Sequence, residues 1–157
     1  MLSLLPAPLH RLALRAAHAG RKAYWAIFRP HIQGVCVIAT NDAGAVLFAR
    51  HSYGSGNFLL PTGGMKRGED ALETARREMR EELGCELLDA RVLVTHRNSL
   101  HGAKHTQHLV AARLDATPQP DGREVLEARF FAPDALPDPV TPRTRRQLEL
   151  WAASKAG

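Results

Sequence analysis

The segment from Gly63 to Cys85, GGMKRGEDALETARREMREELGC, constrains this chain more than any other. Its second part, Asp70 to Leu83, holds neither glycine nor proline and is rich in Ala, Leu, Glu, Arg and Met, all good helix formers. At about 100° per residue, Leu72, Ala75, Met79 and Leu83 share an arc of roughly 80°, and Glu78, Glu81 and Glu82 share a neighbouring arc of roughly 100°. The first arc is a stripe that seeks a core. Arg76, Arg80 and Glu73 take the solvent side. Gly84 stands where a left-handed cap ends a helix.

Three carboxylates at i, i+3 and i+4 repel one another and weaken a helix. A divalent cation removes the conflict, and Mg²⁺ is commonly held by a few carboxylates, waters and substrate phosphates. Surface ion pairs to Arg77 and Arg80 are the competing reading of the same charges. The turn before the helix favours the cation. Pro61 to Gly68 contains three glycines, which permit positive φ and close backbone approach. It leads from an apolar strand end, Phe58-Leu59-Leu60, into a helix N-terminus, whose N–H groups favour anions.

The spacing of Gly63, Glu69, Arg77-Glu78, Glu81-Glu82 and Gly84 resembles the Nudix box, G-x5-E-x7-R-E-U-x-E-E-x-G-U with U aliphatic. All seven fixed positions match, whereas Cys85 departs from the usual aliphatic residue. The resemblance implies hydrolysis of a diphosphate linkage in a nucleoside diphosphate-linked or nucleotide substrate, by attack of water on phosphorus. It implies Mg²⁺ as cofactor, with Mn²⁺ as the alternative. Carried over by position, Glu78, Glu81 and Glu82 are the implied metal ligands, with the carbonyl of Gly63 as a further one. Arg77 orients the glutamates, Glu69 steadies Arg77 and the turn, and Gly84 is structural. Glu78, Arg77, Glu81 and Glu124 are the candidate catalytic residues. Glu124 stands for an acid beyond the box, with Glu127 as second choice. Arg50, His51, Gly64 and Lys66 are the candidate substrate contacts. Which carboxylate takes the proton stays open.

Two other classes compete. Nudix-like binding or regulatory domains and isopentenyl diphosphate isomerases on the same fold usually lose parts of the box, and this chain keeps them. Substrate class stays open too. Leu100 occupies the position where the ADP-ribose class tends to carry Pro, and His101 and Gly102 that where the diadenosine polyphosphate class tends to carry Tyr. Phe58 to Gly64 loosely resembles the loop of enzymes acting on nucleoside triphosphates or 5′-capped RNA.

Elsewhere, Gln33 to Ala39 and Ala45 to Arg50 read as a hairpin around Asn41-Asp42-Ala43-Gly44. Glu86 to Arg97 reads as one or two short strands, and Thr106 to Leu114 and Glu127 to Phe131 as further strands. Pro142 to Ala153 reads as a closing helix, with Thr141 as N-cap and Pro142 at the first helical position. The expected fold is α/β (α+β), a Nudix-like α/β/α sandwich around a mixed β-sheet, over residues 31–157. Cys36 and Cys85 make no disulfide framework, and Cys36 reads as a buried thiol. His101, His105 and His108 read as surface or substrate-side histidines, since their spacing suits a helix and their segment reads as a strand.

Residues 1–30 read as a separate basic arm. The formal excess of +5 lies entirely in residues 1–31, through Arg11, Arg15, Arg21, Lys22 and Arg29. Leu9 to Ala23 can form a basic amphipathic helix, with Leu9, Leu12, Ala13 and Ala16 as its apolar stripe. It packs on the domain or on a second protomer as a homodimer, lies on a membrane surface, or faces nucleic acid as a flexible arm. With no secretory signal pattern and no apolar run that could span a bilayer, a cytoplasmic location is expected. The arm is expected to be separable from the chemistry.

Overall fold

Along β1 (His31–Thr40), Val35, Val37 and Ala39 are buried on one face, and Cys36 and Ile38 on the other. A strand apolar on both faces needs a covering layer on each, and both are present in the computed structural model, which describes residues 7–156. The first six residues of the arm and Gly157 lie outside the described residues.

The other strands are β2 (Val46–His51), β3 (Phe58–Leu59), β4 (Thr62–Gly64), β5 (Leu88–Leu100), β6 (Ala103–Arg113) and β7 (Val125–Phe131). They form one sheet ordered β3-β2-β1-β6-β5, with β4 on β1 and β7 on β2. β1 runs parallel to β6 from His31↔Lys104 to Thr40↔Arg113, and the other pairings are antiparallel. The expected hairpin is present only at its turn, where Thr40 pairs with Val46. Beyond that pair, β4 takes the edge of β1, while β3 and β7 flank β2.

Helix α2 (Ala71–Leu83) packs Ala75, Met79 and Leu83 against Val35, Val37, Leu47 and Val110. Helix α3 (Pro142–Ala153) packs Trp151 against Ile38, Phe48 and Leu109 on the opposite face. The result is the expected α/β/α sandwich. Burial pushes the Cys36 thiol up to about 12, so it stays protonated on the α3 side. The region after the box forms one long strand, β5, with register shifts that keep it paired to β6 past two irregularities. The glycine turn starts as strand β4, because Thr62 and Gly64 pair with Cys36 and Gly34.

Helix α1 (Ala7–Phe28) is longer than the sequence pattern marks, and it does not turn its apolar stripe to the domain. Its apolar stripe faces outward: Leu9 is 52%, Leu12 63% and Ile27 72% exposed. The side against the domain carries Arg11, Leu14, His18, Lys22 and Trp25. Arg11 donates to Gly122 O and Arg15 to Ser52 O. His18 meets the ring of Tyr53, and Trp25 stacks on His101. Among the described residues, no helix is long and apolar enough to cross a membrane.

Candidate active site

The capping residues fix where the carboxylate face of α2 begins and ends. Asp70 accepts from the backbone N–H of Leu72 and Glu73, while Glu73 accepts from that of Asp70, a closed capping box. Gly84 ends the helix with φ 63°. Its last carbonyls are taken by the loop before β7, as Gln119 N–H donates to Leu83 O and Asp121 N–H to Glu82 O. The two chain segments that carry the candidate acids are thereby joined directly.

Arg77 organises the corner between α2 and the glycine turn. Its Nε and Nη2 donate to the two oxygens of Glu69, at 2.6 and 2.9 Å. Nη2 also reaches Gly64 O at 2.9 Å, and Nη1 reaches Glu78 at 2.8 Å and Glu81 at 3.3 Å. Glu69 also accepts from Lys66 N–H and from the Thr74 hydroxyl. The bonds from Arg77 hold the Glu69 carboxyl down at about 2. Glu78 goes the other way. Burial, then the charge of Glu82, push it up to about 7 against the pull of Arg77.

Gly63 is the floor under Glu78. A Cβ there would sit 2.0 Å from Glu78 Cγ, so no other residue allows this approach. The Gly63 carbonyl rests against Gly34, which is itself too tightly placed for a side chain, as its Cβ would fall 2.8 Å from that oxygen. Gly64 has open space around it. Lys66 is exposed, with Nζ 3.9 Å from Glu81.

Glu82 is 7% exposed and faces His51 at the end of β2, with Nε2 3.6 Å from its carboxylate. Across the next pairing, Ser52 N–H donates to Glu124 O, so Glu124 enters the same region from the end of the 121–124 loop. Asp121 shapes that loop by accepting from the N–H groups of Arg123, Glu124 and Val125. Glu127 points elsewhere, bound by Arg50 Nη2 at 2.7 Å and by Arg129.

Sequence reasoning missed Tyr53 and Ser52. The Tyr53 ring lies between His18 and His51. Burial, then the charges of Glu82 and Glu124, raise its phenol, which places it beside both acids. An aromatic residue two positions past a candidate substrate histidine was the available signal. His105 and His108 do not reach this region, since they bond Asn98 and Thr95 on the neighbouring strand. Among the described residues, no three carboxylate, imidazole or thiol groups converge on one point closely enough to cage an ion unaided. Glu78, Glu81 and Glu82 instead follow one another along one side of α2, from partly buried through exposed to buried.

An RNA pyrophosphohydrolase of Cronobacter sakazakii is 36% identical over 73 residues, 46% of this chain and 39% of that protein. One of Halorhodospira halophila is 41% identical over 66 residues, 42% and 34% of the two chains. This chain thus aligns with well under half the length of these curated relatives. The crystal structure of a MutT NUDIX hydrolase from Burkholderia pseudomallei superposes with a TM-score of 0.68 and 25% identity, over 76% of this chain and 97% of that one. The NUDIX domain model matches residues 30–151, from the start of the sheet to the end of α3, and the chain therefore belongs to the NUDIX domain family.

Proposed function

We propose that this protein is a divalent-metal-dependent pyrophosphohydrolase that cleaves a diphosphate linkage in a nucleotide-type substrate by attack of water on phosphorus. The observation that carries this reading is the charge conflict at Glu78 and Glu82. Glu78 is held up at about 7 although Arg77 already touches it. A buried and a partly buried carboxylate left in that state favour a cation that binds them both. The donor set suits Mg²⁺ or Mn²⁺, being all carboxylate oxygen on an open face that leaves room for phosphate and water.

When bound, the ion neutralises phosphate charge and lowers the pKa of a water molecule. Glu78, Glu81 and Glu82 hold it. Arg77 keeps Glu78 and Glu81 in place, Glu69 keeps Arg77 in place, and Gly63 leaves the space Glu78 needs. Glu124 enters from the opposite loop as an acid that can take a proton. Arg50, His51, Lys66 and the backbone of Gly64 are the proposed substrate contacts. The relatives named above are RNA pyrophosphohydrolases, so 5′-triphosphorylated RNA heads the substrate panel, with nucleoside triphosphates and ADP-ribose after it.

The test is turnover on that panel with Mg²⁺ and with excess chelator, for wild type and Glu82→Gln. Turnover should need the metal, and Glu82→Gln should remove most of it while folding as stably as wild type without metal. Full turnover in chelator, or in Glu82→Gln at saturating Mg²⁺, rules out the metal reading. A nucleotide that binds but is never cleaved supports a binding domain instead.

A further inference from the structure

The cleft between α1 and the segment after β2 is not explained by the carboxylate corner. It encloses about 490 Å³ and is lined by Arg15, Arg50, His51, Ser52 and Tyr53, with Gly54 and Gly56 at its rim. It opens beside the metal-binding face, because His51 belongs to both and stands 3.6 Å from Glu82.

Its walls hold hydrogen-bonding capacity that the protein leaves unused. Arg50 Nε and Ser52 Oγ are both buried and have no hydrogen-bond partner among the described residues. Ser52 is only 3% exposed, so this is not a hydroxyl turned out to water. Buried polar groups are almost always satisfied, and one without a partner calls for a ligand or a bound water. Among the described residues Arg15 spends only its Nε, on Ser52 O at 2.9 Å, and its two terminal nitrogens are the ones a ligand would meet. Glu127 takes Arg50 Nη2 but is shared with Arg129, and the other acids that act on the cleft, Glu82 and Glu124, lie on its His51 and Tyr53 side. Two guanidinium groups and a hydroxyl around one cleft match phosphate oxygens, which accept from a planar fork. Tyr53, held between His18 and His51, keeps the α1 wall at a fixed distance from the metal side.

We infer that this cleft binds the distal phosphates of an oligophosphate chain, with Arg15 of α1 closing it from outside the family domain. The inference rests on the pyrophosphohydrolase reading only for the linkage that lies at the glutamates. The phosphate chain comes on a free nucleotide or on an RNA 5′ end, and the chemistry recognised is the same.

The experiment is isothermal titration of the full chain with inorganic tripolyphosphate in excess chelator, which measures the cleft without metal and without turnover. Wild type should bind. Arg15→Gln should weaken binding by at least about tenfold, and Arg15→Lys should recover part of it, since a cation without the fork keeps only the charge. Arg146→Gln, altering an exposed α3 arginine that lines no part of the cleft, should bind as wild type does. Equal affinity of Arg15→Gln and wild type at matched melting temperature overturns the inference. Should Arg15→Gln lower the melting temperature, Ser52→Ala decides, because the Arg15 bond to Ser52 O survives in it. Weakening by about threefold or more supports the cleft, and unchanged affinity overturns it. Competition by GTP and by a 5′-triphosphorylated oligoribonucleotide then separates the two sources, the tighter competitor naming the one that fits. Wild type that hydrolyses nucleotides but does not bind tripolyphosphate overturns the cleft and spares the hydrolase reading. Wild type that binds tripolyphosphate but turns over nothing on the panel supports the cleft and sinks that reading.

Discussion

Arg77 grips both oxygens of Glu69, and this fork sets the position of its remaining nitrogens on Gly64 O, Glu78 and Glu81. A lysine has one nitrogen and cannot hold four partners in a plane. Arg77→Lys should therefore lower kcat by at least about tenfold through loss of carboxylate alignment, with KM changed little. Stability should fall by about 1.5–3 kcal/mol for the lost charge-assisted bonds. Steady-state kinetics and thermal melting of the purified variant check this, and kcat within twofold of wild type would show that the fork is dispensable.

Gly63→Ala tests the floor beneath Glu78. The added methyl would lie 2.0 Å from Glu78 Cγ, so the glutamate or the strand must move. Turnover should drop by at least about tenfold, as expected when a reacting group shifts by an ångström. Metal affinity, read by titration with Mn²⁺, should weaken in parallel. Unchanged Mn²⁺ affinity would mean that Glu78 does not help to hold the ion.

Stability in chelator should depend on pH through Glu78. Its carboxyl is raised from 4.5 to about 7 in the folded protein, so the native state holds the proton more tightly than the unfolded chain does. The stabilisation is complete below about 4.5 and is lost as pH rises to about 7, by up to about 3 kcal/mol. Glu69 has the opposite sign, since its carboxyl is lowered to about 2 and its contribution is lost as pH falls from 4.5 toward that value. His18 and His105, both lowered chiefly by burial, also favour higher pH. The clean measurement is the difference in unfolding free energy between wild type and Glu78→Gln, where these other terms cancel. That difference should move against wild type from pH 4.5 to 7 and then level off. A difference independent of pH would contradict the assignment.

Arg11→Gln should loosen the loop that carries Glu124. Arg11 gives two bonds to Gly122 O, at 3.1 and 2.7 Å, and losing them should cost about 1–2 kcal/mol. Faster amide exchange should appear at residues 121–125 and along α1, while the β1–β6 pairing keeps its protection. Uniform exchange across the chain would show that α1 does not hold that loop.

The parts of this structure that were legible in the sequence are local. The α2 stripe, its end at Gly84 and the start of α3 at Thr141-Pro142 depend on neighbours a few residues apart, and all stand where the pattern puts them. The parallel pairing of β1 with β6 joins residues more than seventy apart, and no local rule encodes it. The α1 periodicity showed an apolar stripe and left open whether it seeks the domain, a second protomer or a membrane surface. The domain instead offers carbonyls at Ser52 and Gly122, and the arginine side docks. Arg11 and Arg15 set α1 against the segments after β2 and before β7, and deleting residues 1–22 while following turnover tests the expectation that the arm is separable from the chemistry. Ser52 carried no sequence signal, since its buried hydroxyl matters only through what surrounds it.

The Arg11 bond to Gly122 also has a temporal side. The two residues are 111 positions apart, so during synthesis the helix emerges long before the carbonyl that seats it. Until that segment arrives, α1 lacks its Arg11 anchor, while Ser52 and Tyr53 are already there to receive Arg15 and His18. The α1 wall of the cleft is therefore held early through Arg15 and His18 and is fastened at Arg11 only once residue 122 has been made.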